Sequence, residues 1–203
     1  MSEFEAVTLA DPSSPLTATV VPPMAGMIIT SLRDGGDHEF LGQRRGLDAY
    51  ITAGKTMGVP ILYPWANRLS ASKYGINGAV VTLTPPGTGG VRTDEHGVPI
   101  HGVLTGYPGW LISDRSDNAL TAVLDYGGRP RLLASFPFPH VLTQRMTLDD
   151  RTLTVETTVM PTTAASVPLC FGYHPYVQLP GGSARRVDAD HPPSMRHRPV
   201  DNW

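Results

Sequence analysis

Cysteine is almost absent from this chain. Cys170 is the only one, which excludes an internal disulfide and points to a reducing compartment. Long apolar runs are missing as well, and none approaches the ~20 residues that a membrane helix needs. The opening stretch, MSEFEAVTLADPSS, has neither a basic nor an apolar segment, so no secretory signal is expected there. Neither sign of charge dominates. Sixteen basic and 18 acidic residues give a net charge of −2, which argues against nucleic-acid and membrane-surface partners. No apolar stripe at helical spacing persists over three turns, and no segment repeats at a fixed period. These absences leave a cytoplasmic protein that handles a neutral or weakly charged small molecule; they do not speak to its oligomeric state.

Glycine and proline are abundant. With 21 and 20 copies among 203 residues they make up about a fifth of the chain, against a usual ~12%. The chain therefore turns often, yet 40% of its residues are hydrophobic, enough for one sizeable core. Between the turns the apolar residues alternate with a period of two, the period of a half-buried strand. In Asn118–Gly127, Leu120, Ala122, Leu124 and Tyr126 share one face. Val141–Leu148 and Thr152–Met160 read as a hairpin closed at Asp149–Arg151, with Leu142, Met146 and Leu148 inward on one strand and Leu153, Val155, Thr157 and Val159 on the next. Met27–Leu32, Ala79–Thr84 and Val167–Phe171 are further strand candidates, and Leu47–Ala53 suits one short helical turn. Many short strands with frequent turns predict an all-β, antiparallel β-sandwich. Cys170, in an apolar run, reads as a buried structural thiol. Alternation ends after Pro180, and from Pro180 onward the chain carries four arginines and four prolines. Residues 1–182 are thus expected to form the sandwich domain and 183–203 an irregular tail.

Three polar clusters interrupt the strand pattern. In Gly58–Ser70 (GVPILYPWANRLS), Asn67 and Arg68 follow an apolar-aromatic stretch. A guanidinium fork beside an amide suits vicinal hydroxyls; taken alone, the cluster reads more readily as a surface loop with Arg68 paired to a carboxylate. In Gly97–Trp110 (GVPIHGVLTGYPGW), His101 precedes Gly102, and Trp110 lies nine residues on. An imidazole can bond a sugar oxygen and an indole face can cover C–H groups; a satisfied loop histidine and a core tryptophan are the alternative. In Phe171–Pro180 (FGYHPYVQLP), His174 sits just past a strand end, where it is either a proton donor near neutral pH or a structural turn residue.

Taken in order, these clusters resemble the aldose 1-epimerase (galactose mutarotase) family. The resemblance rests on Gly58-Val59-Pro60, Pro64 and Asn67-Arg68, then His101-Gly102 with Trp110, then Gly172-Tyr173-His174-Pro175-Tyr176, with Phe136-Pro137-Phe138 before the hairpin. It spans roughly residues 26–181. It implies a galactose mutarotase-like β-sandwich and interconversion of the α and β anomers of an aldohexose, with no metal and no organic cofactor. It makes His174 the general acid on the ring oxygen and His101 the support for developing charge. Asn67 and Arg68 would hold hydroxyls, with Trp110 and Tyr176 as further sugar contacts.

The family's base is a glutamate near the end of a much longer chain, preceded by a sugar-binding aspartate. Here 29 residues follow His174, none of them glutamate, and Asp188, Asp190 and Asp201 do not match the spacing. The chain therefore reads as a C-terminally truncated member whose sandwich is incomplete at that end. A non-catalytic carbohydrate-binding domain of the same shape is the alternative. A hexose-6-phosphate 1-epimerase ranks lower, because nothing in the sequence places Arg44, Arg45, Lys73 or Arg92 at the cleft. His96 and His101 lack the cysteine or acidic partners of a zinc site. Gly-x-Ser-x-Gly and Gly-x4-Gly-Lys patterns are absent.

Overall fold

A computed structural model describes residues 5–22, 25–36, 38–43, 45–84 and 91–178. The elements run β1 (Val7–Ala10), β2 (Thr17–Val21), β3 (Ile28–Arg33), α1 (Gly46–Ala53), β4 (Ile61–Leu62), β5 (Lys73–Ile76), β6 (Ala79–Thr82), β7 (Leu111–Arg115), β8 (Ala119–Asp125), α2 (Pro130–Ser135), β9 (His140–Asp149), β10 (Thr152–Pro161) and β11 (Gly172–Tyr173). All strand ladders are antiparallel. One sheet has the order β1-β2-β3 and another β10-β9-β8-β7, while β11-β4 and β5-β6 are two-stranded. The two larger sheets contribute to a single core, which joins Val7, Leu9, Ala18 and Val20 to Leu120, Leu124, Leu142 and Met146.

The expected hairpin is present. β9 and β10 pair from Asp149↔Thr152 to His140↔Pro161. Asp150 and Arg151 both have positive φ, the geometry of a two-residue turn whose twist matches that of its strands. The Asp11 carboxylate accepts the Arg151 N–H at 2.7 Å and so ties this turn to the loop after β1. Its further bonds from Ser13 and Ser14 hold the Asp11 pKa far below the usual carboxylate range.

Inward residues of β8 and β9 are buried, as their alternation requires, whereas those of β10 are half-buried. β10 is an edge strand, so only one of its flanks is covered. The segment 47–53 forms a full helix, α1, in which Tyr50 is buried and Gly54 closes the end in a left-handed conformation. Val167–Phe171 does not form a strand; Cys170 makes one bridge, to Trp65, and its side chain is exposed rather than buried. Among the described residues no helix is long and apolar enough to cross a membrane. The tail proposed for 183–203 lies outside the described residues.

Candidate functional site

The segment from Gly58 to Arg68 is the spine of the site, because the other two clusters pair along it. On one flank β11 pairs with β4 through Gly172↔Leu62 and Tyr173↔Ile61. His174 N–H then donates to Pro60 O at 3.1 Å and Tyr176 N–H to Gly58 O at 2.9 Å. On the other flank Tyr63 bridges Gly102 and Arg68 bridges Ile100, and His101 N–H donates to Asn67 O at 2.8 Å. Short pairings of this kind place side chains more freely than a long regular ladder would.

Two glycines make the close approaches possible. Gly102 has a φ of 67°, and a Cβ on it would lie 2.0 Å from Tyr63 O. Gly58 has a φ of 56°, and a Cβ there would lie 2.1 Å from Ile29 O. Neither position admits a larger residue without displacing backbone. Beneath the spine a buried network fixes Tyr63. The carbonyl of Phe138 can only accept, so His140 donates to it from Nδ1 and must accept the Tyr63 hydroxyl at Nε2, a contact of 2.7 Å. Burial lowers the His140 pKa and favours this neutral form. The carbonyl of Tyr63 in turn accepts Val103 N–H at 2.7 Å, which anchors the loop carrying His101.

His101 and His174 meet edge to face, with ring centroids 5.6 Å apart. Tyr176 stacks on His174 at 4.6 Å with the rings nearly parallel. Burial first, then the facing His174, Arg68 and Arg92, push the His101 pKa below the ordinary histidine value. A neutral imidazole offers one donor and one acceptor, and the buried His101 Nδ1 has no partner among the described residues. Both histidines are only half-buried, so a ligand can reach them.

Arg68 is held from two sides. Its Nε donates to Asp94 Oδ2 at 2.6 Å and its Nη1 to Asn67 Oδ1 at 3.2 Å. The Asp94 side chain is 2% exposed, and the Arg68 guanidinium above it is 48% exposed. The Arg68 bond, followed by the Val98 N–H, lowers the Asp94 pKa to about 2, so it remains a carboxylate. The surface reading of Arg68 is thus part of the geometry: a paired carboxylate fixes the guanidinium while leaving it open. Sequence reasoning missed Asp94, which sits in a polar turn with no periodicity; its bonds to the N–H groups of His96 and Val98 mark an Asx-type turn.

The structure brings Asn67, Arg68, His101, His174 and Tyr176 together. Trp110 is not among them. It is 1% exposed and packed in the core, so its rings cannot cover a ligand, and the core reading of this residue is the correct one. No group of three or more metal-ligating side chains occurs among the described residues.

Comparison with solved structures defines the class as a galactose mutarotase-like antiparallel β fold. A protein from Synechocystis sp. PCC 6803 superposes with a TM-score of 0.68 at 22% identity, covering 87% of this chain and 55% of its own. A galactose mutarotase-like protein from Clostridium acetobutylicum gives 0.72 at 18% identity, covering 88% and 52%. A galactose mutarotase related enzyme from Lactobacillus acidophilus gives 0.67 at 16% identity, covering 89% and 51%. This chain therefore spans about half the length of the structures it matches. No significant match was found among curated proteins. The family model for aldose 1-epimerase matches residues 7–191, and the chain belongs to the aldose 1-epimerase family.

Proposed function

We propose that Asn67, Arg68, His101, His174 and Tyr176 form a cradle that binds an aldohexose and interconverts its α and β anomers by acid/base ring opening. The observation that supports this reading is the His101–His174 pair set beside the Asn67–Arg68 edge. Mutarotation needs a proton delivered to the ring oxygen while the C1 hydroxyl gives its own to solvent water, since Asp94 is committed to Arg68; the C1–O5 bond breaks, C1 rotates about the C1–C2 bond, and the ring recloses with the proton transfers reversed. His174 is assigned the donor to the ring oxygen. Neutral His101 bonds the same region and stabilises its developing charge. Arg68 and Asn67 hold hydroxyls, and Tyr176 fixes the plane of the His174 ring.

A second reading is a carbohydrate-binding domain without catalysis. It is favoured by one observation: Asp94, the carboxylate held against the cradle, is committed to Arg68. Polarimetry on freshly dissolved α-D-glucose or α-D-galactose separates the two. An epimerase accelerates the approach to equilibrium, and His174→Ala reduces that acceleration about a hundredfold or more. Equal acceleration by wild type and His174→Ala would remove the acid role. No acceleration, with sugar binding retained, would establish the binding domain.

A further inference from the structure

A cavity of about 240 Å3 lies beside the cradle without sharing its side chains. Its wall includes the loop that follows His101, from Gly102 through Thr105 and Tyr107, together with Arg92 and the α2 residues Arg131 and Ser135. His101, His174, Asn67 and Arg68 do not line it. Among the described residues two guanidinium groups face this space, and no aspartate or glutamate does.

Arg92 is largely buried. Its Nη2 donates to Thr105 O at 3.2 Å and its Nη1 to Gly54 O at 3.5 Å, both neutral carbonyls. Burial lowers its pKa. The carbonyl end of α1 offsets part of that charge, but a helix terminus supplies only about half an elementary charge. Arg131 adds a second full charge, and neither arginine bonds a carboxylate among the described residues. Tyr107 and Ser135 also line it, and no hydrogen bond of either hydroxyl occurs among the described residues. Arg92 is thus a largely buried cation with only neutral partners, and the exposed Arg131 beside it adds charge of the same sign.

We propose that this cavity is a binding site for a phosphate-class oxyanion, held between Arg92 and Arg131. Its size favours a small group. The volume equals that of about eight waters at ~30 Å3 each, below the ~300 Å3 at which sites for larger ligands begin. Guanidinium forks and hydroxyl donors match the several oxygens of a tetrahedral anion. The site is independent of the proposed sugar chemistry, because its walls and its test involve none of the cradle's side chains. Its consequence for the cradle is mechanical: Arg92 grips the carbonyl of Thr105, four residues after His101, so an anion on Arg92 would stiffen the loop that carries that histidine.

The test is an NMR titration of the whole protein with inorganic phosphate at constant ionic strength, with chloride, acetate and glucose 6-phosphate as parallel arms. Saturable shifts of the Gly102, Thr105 and Gly106 amides with phosphate, absent with chloride, are expected. Arg131→Gln, on an exposed helix residue, should melt as wild type and weaken phosphate about tenfold. Equal affinity for phosphate and glucose 6-phosphate would mark free phosphate as the ligand, and tighter glucose 6-phosphate binding that falls in Arg131→Gln a phosphate presented on a sugar; both support the site. Acetate binding as tightly as phosphate, shifts that do not saturate, equal shifts with chloride, or undiminished affinity in a folded Arg131→Gln would overturn it.

Discussion

In β9 every second side chain from His140 to Leu148 is buried, and its ladder with β10 runs unbroken from turn to end. In the cradle the strands shrink to two residues or to single bridges, and the chain turns through positive φ at Gly58, Asn67, His101 and Gly102. The first region is held by buried apolar area spread over many residues. The second is held by a few close backbone approaches that only particular residues permit. The sheet should therefore tolerate loss of a side chain with a graded cost in stability, whereas the cradle should lose its shape when one approach is blocked.

The largest effect is expected at the tightest approach. Gly102→Ala places a methyl group within 2.0 Å of Tyr63 O at a φ of 67°, and should cost roughly 4 kcal/mol or more. Sugar binding should disappear with it; thermal melts and a sugar titration check both. A folded Gly102→Ala with normal binding would erase the distinction between the two regions. Next comes Leu142→Ala in the middle of β9, where full burial predicts a loss of about 3 kcal/mol. Denaturant melts should report that loss, while sugar affinity in the folded fraction stays at the wild-type level.

A smaller effect follows from the buried His140, whose pKa is lowered on folding. Below the ordinary histidine pKa of ~6.5 the unfolded chain binds a proton that the folded chain resists. Stability should therefore fall as pH drops from about 6.5 toward the folded-state value, by at most about 1.4 kcal/mol per pH unit. Melts between pH 7.5 and 5.5 measure it, and the slope should shrink in a folded His140→Gln. The smallest effect on stability is expected at Asp94. Asp94→Asn removes the carboxylate that fixes Arg68 but leaves the turn's acceptor oxygen in place. Sugar affinity should drop by roughly tenfold with little change in melting temperature.

The same contrast explains what the sequence disclosed. β8, β9 and β10 were legible because a period of two survives wherever one face is buried and the other is wet. β7 was not, because all five of its residues are exposed and nothing in them alternates. β5 carries a glycine and a lysine among its four residues and buries none of them, so it shows no apolar face. Val167–Phe171 has strand-like composition but finds no continuous partner, so composition overstated it. The site was visible only as three clusters in order. Their convergence depends on pairings across more than 100 residues, such as Tyr173 with Ile61, that no local pattern encodes. Trp110 was misjudged because an indole next to a polar loop serves a ligand or a core equally well until burial is known. Asp94 and the cavity at Arg92 went unseen because isolated charged residues carry no signal of their partner.

Whether Asn67-Arg68, His101 and His174 form one sugar site is tested most directly by the imidazole C–H resonances. Titration with D-galactose should move the His101 and His174 signals together and saturably, leave half-buried His38 unmoved, and lose both shifts in a folded Arg68→Ala. If neither imidazole responds, or if both still respond at unchanged affinity without Arg68, the three segments do not form a sugar site.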